Sequence, residues 1–487
     1  MKKSMMHVNA AVHDPSIFID KDGMNYIFGS HMTAAYSKDL KDWTMFADEK
    51  EPDMPMFDNI FDKEAGVFDF AGRYADGEYQ VWTPDVTYNE NRGKYVMYFA
   101  VTGMAGDGVR TRSAICMAAS DNVRGPYHFE DFILFSGFDK ESADKTNLRE
   151  VLGDEIDIGK YLDENGSYDY LRFPNCLDPN TFRDKNNELW LVYGSQSGGI
   201  FVLQLDDATG KPKKIADDEN NQIDKYYGRR ILGGGDKFIE GAFIIYDKVA
   251  DYYYLFASFG DKLTQGHQIR LFRAKKPDGP FVDMSGKACR NVRTTNPYGL
   301  KLVGSYKFPS MDMAYWSPGH NSCFIDEDNN IYMVYHQRFE GRSSEHEPRV
   351  HQLFRTGNNW LSMCPFATDG EMLINKTYHE SELWGTYYMV EHGLDISDEI
   401  HKALKVEFSG GGDILRFVNQ SEESSDRLKE IPAYGGYLIR HGGKVIIAID
   451  GREYECAIVQ LNDEAGNPTM CITGCCDNRS LWAVKYL

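Results

Sequence analysis

Three acidic residues stand out by type and by place: Asp14 in HDPS, Asp178 in LDPN and Glu240 in IEGA. Each opens a short β-type run that leads to a polar turn and an aromatic run. Asp85 or its neighbour, in WTPDV, and His320, in SPGHNS, hold the corresponding place in two further runs. Side chains at matching places of a repeat converge wherever the repeats surround an axis. Several carboxylates in one cavity cannot all ionise normally, so their pKa values spread apart. One can then act as a base while another, kept protonated, acts as an acid. A single Asp before Pro reads more simply as a turn opener. The recurrence of the acidic residues is what favours chemistry.

The elements that must carry these residues are legible in the repeat itself. VHDPSIFIDKDGMNYIFGS, residues 12–30, has a close counterpart in CLDPNTFRDKNNELWLVYGS, residues 176–195. Looser relatives begin at Thr83, Ile239 and Pro318. In each, a strand, a turn rich in Asp, Asn or Gly and a second, aromatic strand predict a β-hairpin. Helical periodicity is almost absent before residue 370. Five such units predict an all-β, five-bladed β-propeller over residues 1–370, with acidic segments such as 138–170 looping over one face. Beyond it the pattern changes to eight short strands separated by Gly, Asn or Asp. Residues 371–487 are therefore expected to form a smaller antiparallel β-barrel or sandwich.

Composition narrows the ligand. The formal net charge of −21 over 487 residues argues against nucleic acid or an anionic membrane as partner. Aromatic residues make up 13 %, which suits strands and stacking on sugars. The first residues, MKKSMMHVNAAVHDPS, lack an apolar core, so a cytoplasmic protein is expected, or an extracellular one if a leader precedes them. Nine scattered cysteines without zinc-type spacing read as free thiols. SSEHEPRVH, residues 343–351, lacks the spacing of a helical His pair and reads as a charged loop.

HDPSIF, WTPDV, LDPNTF, IEGAF and SPGHNS together resemble the signatures of family 43 glycoside hydrolases. FGSHMTAAYSKDLKDW, YGSQSGGIFVLQLDDATGKP, RVHQLF and WGTYYMVEHGLDIS extend the likeness to its endo-α-1,5-L-arabinanase branch with a C-terminal β domain. The resemblance implies an inverting hydrolase acting on plant cell-wall arabinan or arabino-oligosaccharides. It makes Asp14 the general base, Glu240 the general acid and Asp178 the carboxylate that tunes the acid. Inversion leaves room for a water, so the acid and base of such enzymes stand about 6.5–9.5 Å apart. Phe238 and Ile239, just ahead of Glu240, are expected to desolvate the acid and raise its pKa. The family usually has Pro where this chain has Ala242. The resemblance also implies an axial metal, calcium, at His320, with chloride or sodium as alternatives, since calcium favours oxygen ligands. Trp82 is a candidate stacking platform. His31, Asp85 and Ser195 are candidate sugar contacts, and Arg338 is a candidate partner for a carboxylate. Two other functions stay open: an exo-acting α-L-arabinofuranosidase or β-xylosidase, and a sugar-binding propeller without catalysis.

Overall fold

A computed structural model describes residues 10–486, except 52, 105–110, 236–237, 261–265, 291–296, 374–375, 377, 410–413, 418–433 and 441–443. Among the described residues five antiparallel sheets follow one another along the chain. They form the five-bladed propeller expected from the repeat. The innermost strands are Ser16–Ile19, Gln80–Asn89, Asn180–Arg183, Ile239–Asp247 and Tyr315–Ile325.

The repeat has a physical basis at both ends of each inner strand. At the outer turn an Asp or Asn opens the hairpin and a left-handed residue closes it: Gly23, Gly93, Asn187, Asp251 and Asn329 all have positive φ. The Asp184 carboxylate accepts from the backbone amides of Asn186 and Glu188, which fixes the third turn without help from the core. At the axial end each inner strand has a second left-handed residue, before it at Asp14 and Asp178 and within it at Thr83, Gly241 and His320, with φ from 44° to 60°. Non-glycine residues adopt this region only when the surroundings over-determine them. Here the pairing slips at three of these points, between Trp82 and Asp85, Glu240 and Phe243, and Gly319 and Asn321. Such bulges re-aim a side chain at the rim of a sheet.

Immediately outside the axial ring, buried polar side chains join blade to blade. Ser16 donates to Asp85 at 2.5 Å, and the Thr181 amide and hydroxyl donate to the other Asp85 oxygen at 2.7 and 2.6 Å. Asn180 donates to the Ala242 carbonyl. The His320 amide donates to Ser258. Ser322 accepts from the Ile17 amide and donates to the Pro15 carbonyl, closing the ring from blade five to blade one.

Beyond the propeller, eight strands from Gly385–His392 to Arg479–Lys485 pair in a closed antiparallel cycle, a barrel with Met372–Leu373 on its edge. Strand His401–Lys402 leaves the barrel and pairs in parallel with Tyr306–Lys307 of blade five. The two parts share a core: Phe243, Leu271, Tyr315 and Trp360 of the propeller cluster with Val390, Val459 and Trp482 of the barrel. Trp482 is wholly buried, its ring 4.9 Å from that of Tyr306. Arg270, also wholly buried, donates to the Leu394 and Asp395 carbonyls of the connecting segment. Packing thus docks the barrel on blades four and five.

Candidate active site

The axial residues surround one end of the channel. Asp14 is buried and ringed by imidazoles. Its Oδ1 lies 3.2 Å from His13 Nε2, 3.2 Å from His336 Nδ1 and 3.4 Å from His320 Nδ1. Its Oδ2 accepts from Ser30 at 2.6 Å, and Ser30 is itself held by the Thr83 amide. Burial favours the neutral acid, but the three histidines outweigh it and hold Asp14 well below the usual carboxylate range. Asp14 therefore stays ionised.

Asp178 and Glu240 sit across His320 in the opposite electrostatic setting. Asp178 accepts from the Gly241 amide at 3.0 Å. Burial first, then the charges of Glu240 and Asp14, push its pKa up to about 7 against the pull of His320 and that amide. Glu240 Oε1 lies 3.1 Å from His267 Nε2, and its Oε2 accepts from Ser195 at 3.2 Å and Gln196 at 3.4 Å. Burial would raise Glu240, yet His267 overrides it and brings the pKa to about 2. The expectation of a raised acid at Glu240 is not met: Phe238 is 46 % exposed and shields little, while an imidazole invisible to local sequence pulls the other way. Burial and neighbouring negative charge thus favour the neutral form of Asp178, while the His267 imidazole favours the ionised form of Glu240.

Glu240 stands one residue before the place that Asp14, Asp178 and His320 occupy in their units; Gly241 holds that place. A side chain on Gly241 would crowd His320, so glycine there lets the fourth blade approach the axis. Gly319 likewise leaves room for the His267 ring. In the second unit the axial place belongs to Thr83, and Asp85 lies one step outward as an inter-blade tie. Asp85 is buried, with both oxygens engaged, and its pKa rises to about 6 through burial.

The other candidates are distributed as follows. Trp82 and His31 lie together at the rim, ring centroids 4.8 Å apart, and both are partly exposed. Ser195 touches the Glu240 carboxylate. Arg338 places its guanidinium 4.6 Å over the Trp316 ring. His320 is buried beside Asp14.

Local sequence reading missed five groups: His13, Ser30, His267, His336 and His346. His346 corrects the reading of 343–351 as a charged loop, since it lies in strand Arg342–Arg355, its ring 4.2 Å from His13 and 5.0 Å from His336. The three imidazoles have ligand atoms within 4.8 Å of one another and could hold a metal ion. His336 is wholly buried and its Nε2 finds no hydrogen-bond partner among the described residues. An all-nitrogen set suits a borderline divalent ion better than calcium. The one available signal was His13 beside Asp14; Ser30 and His267 lie tens of residues from Asp14 and Glu240, and His336 and His346 more than 300 from Asp14 and His13.

A propeller whose axial carboxylates are split between ones held ionised by imidazoles and one pushed toward its neutral form by burial has the features of an acid–base hydrolase of glycosidic bonds. The comparisons agree. A model of glycosyl hydrolases family 43 matches residues 132–360. The chain is 37 % identical over 414 residues to an extracellular endo-α-(1→5)-L-arabinanase 2 of Bacillus subtilis, covering 82 % of this chain and 79 % of that protein. The structure of a family 43 glycoside hydrolase, YxiA, from Bacillus licheniformis superposes with a TM-score of 0.80 at 32 % identity, covering 99 % of both chains. That of an endo-1,5-α-L-arabinanase from Thermotoga petrophila gives 0.79 at 30 %, covering 98 % of this chain and 99 % of that one. The protein belongs to glycosyl hydrolase family 43.

Proposed function

We propose that the protein is an inverting endo-α-1,5-L-arabinanase, with catalysis on residues 1–370 and residues 371–487 as a second domain that braces blades four and five. The observation that carries this reading is the contrast between Asp14, held ionised among three imidazoles, and Asp178, pushed toward its neutral form by burial and by the charges of Glu240 and Asp14. The relatives named above supply the substrate class.

Asp14 takes a proton from a water as that water attacks the anomeric carbon. Glu240 gives a proton to the departing glycosidic oxygen. Asp178 keeps a proton within the pair, because two neighbouring carboxylates cannot both ionise freely. A sugar covering Glu240 removes water from it and favours its neutral form, so the proton passes to the acid as the substrate seats. His267, Ser195 and Gln196 hold the Glu240 carboxyl in place. Trp82 and His31 form the sugar-facing wall. Asp85 serves the frame rather than the sugar.

A divalent ion on His13, His336 and His346 would add positive charge beside Asp14 and help keep the base ionised. Calcium at His320, the family expectation, would take most of its oxygen ligands from water, since imidazoles dominate that corner. A chelator is expected to lower activity, and re-addition of single metals ranks the candidates: recovery with zinc but not calcium assigns the three-imidazole group.

The polymer as substrate puts the work outside the cell, as for the extracellular arabinanases of Bacillus subtilis and Thermotoga petrophila. Product sizes in the first few per cent of reaction on linear arabinan test the reading. Mixed oligosaccharides support endo cleavage. Arabinose alone makes it an exo-acting arabinofuranosidase, and release of xylose from aryl xylosides makes it a β-xylosidase. Binding without hydrolysis makes it a sugar-binding propeller.

A further inference from the structure

The chain leading into strand Gln80–Asn89 carries a group of aromatic rings that the reaction does not use. Phe61 and Phe68 stack at 5.6 Å, and Phe68 and Tyr79 at 4.3 Å, with interplanar angles of 17° and 24°. Phe68 is buried beneath the group, while Phe61 is 58 % exposed and Tyr79 36 %. Arg73 lies 4.1 Å over the Tyr79 ring and donates to the Gly77 carbonyl. The turn from Tyr74 to Glu78 is closed by backbone bonds between Tyr74 and Glu78 and between Gly77 and Tyr74. The rings are therefore fixed before any ligand arrives, so little ordering would accompany binding.

An exposed stack of apolar rings forfeits the gain of burial and is characteristic of a surface that binds something. Its position says what. Tyr79 is three residues from Trp82, about 10 Å along an extended strand. Val81, between them, accepts from the His31 amide, so the strand that carries the wall of the site begins directly after the edge of the stack. Asp62, Lys63, Glu64, Asp76 and Glu78 surround the rings in sequence with polar groups of both signs. Phe68 and Arg73 cover the two faces of Tyr79, which leaves its edge and the exposed Phe61 ring to a ligand. An apolar ring with a mixed polar rim suits a neutral ligand with C–H faces and hydroxyl edges.

We propose that Phe61 and Tyr79, backed by Phe68, form a distal subsite for arabinofuranosyl units of the polymer remote from the bond being cleaved. This rests on the arabinanase reading and adds to it a preference for chain length. The test compares the parent with Phe61→Ala, Tyr79→Ala and Phe61→Trp on linear arabinan and on arabinotriose, which is too short to reach both places. Each alanine variant is expected to lower the ratio of kcat/KM on arabinan to that on arabinotriose about fivefold, and Phe61→Trp to restore it. Affinity electrophoresis in linear arabinan, with Glu240→Gln in each background, should show the same ranking without turnover. An active parent whose ratio is unmoved by both alanine variants, or whose activity falls equally on both substrates, overturns the subsite alone. A parent that cleaves neither substrate overturns the arabinanase reading and the subsite with it.

Discussion

The Asp14 corner and the Glu240 corner use one backbone device and differ in what surrounds the carboxylates. In both, a left-handed residue and a hairpin strand bring side chains to the axis. Around Asp14 the neighbours are imidazoles and a hydroxyl, so negative charge is stabilised despite burial. Around Asp178 the neighbours include two other carboxylates, so charge is discouraged. His267, with a smaller pull from His320, tilts Glu240 the other way. The difference teaches that acid and base roles follow from the second ring of residues rather than from the carboxylates themselves.

The comparison breaks most visibly when either reacting group is neutralised. Glu240→Gln and Asp14→Asn are each expected to lower kcat on linear arabinan by about 10³–10⁴-fold, the upper range for lost acid–base catalysis. Circular dichroism should remain that of the parent, and a residual rate above a tenth of the parent's would remove that residue from the reaction.

Next comes the member that only holds the proton. Asp178→Asn should cost kcat about 10²-fold and move the alkaline limb of its pH profile downward. The sign follows from charge: a negative Asp178 makes Glu240 harder to ionise, so its removal lets Glu240 lose its proton at lower pH. In the parent, kcat/KM should fall as pH rises through about 7, where the pair loses its shared proton. A limb that stays put in Asp178→Asn would deny the coupling.

Gly241→Ala probes the shared backbone device. The position has φ of 60°, and a Cβ there would meet His320 at 3.0 Å. A loss of about 1–3 kcal/mol in stability is expected, measured by denaturant unfolding. The same change at the exposed outer-turn Gly93, where no atom lies within 4 Å, should show only the smaller conformational part.

The smallest effect sharpens the contrast. His267→Gln keeps a donor for Glu240 but removes an imidazole that lowers it. About tenfold lower kcat is expected, with the alkaline limb moved upward, opposite to Asp178→Asn. Parallel shifts in the two variants would mean that His267 does not act through Glu240.

Much of this site was legible before any coordinates. Asp14 and Asp178 were readable because Asp-Pro recurs ahead of matching strands, and Glu240 because IEGA falls in the fourth unit. The turn chemistry of Asp184 to Glu188 is local and needs nothing else to specify it. Asp85 was read one place too far inward, since nothing in WTPDV says that the left-handed residue is Thr83. His267, His336 and His346 carry no local pattern. They reach the axis through a loop exit, a second strand and a third strand; His267 meets Glu240 within blade four, while His336 and His346 meet Asp14 and His13 across the seam from blade five to blade one.

The amino-acid sequence by itself determined the hairpins, their number and the presence of three carboxylates, because turn residues and strand alternation act between neighbours in the chain. Only the tertiary structure decided which carboxylates are held charged and which is pushed toward its neutral form. Burial and Coulomb forces depend on distance in space: ring closure brings His320 and His336 of blade five to Asp14 of blade one, and the folding of blade four brings His267 to Glu240.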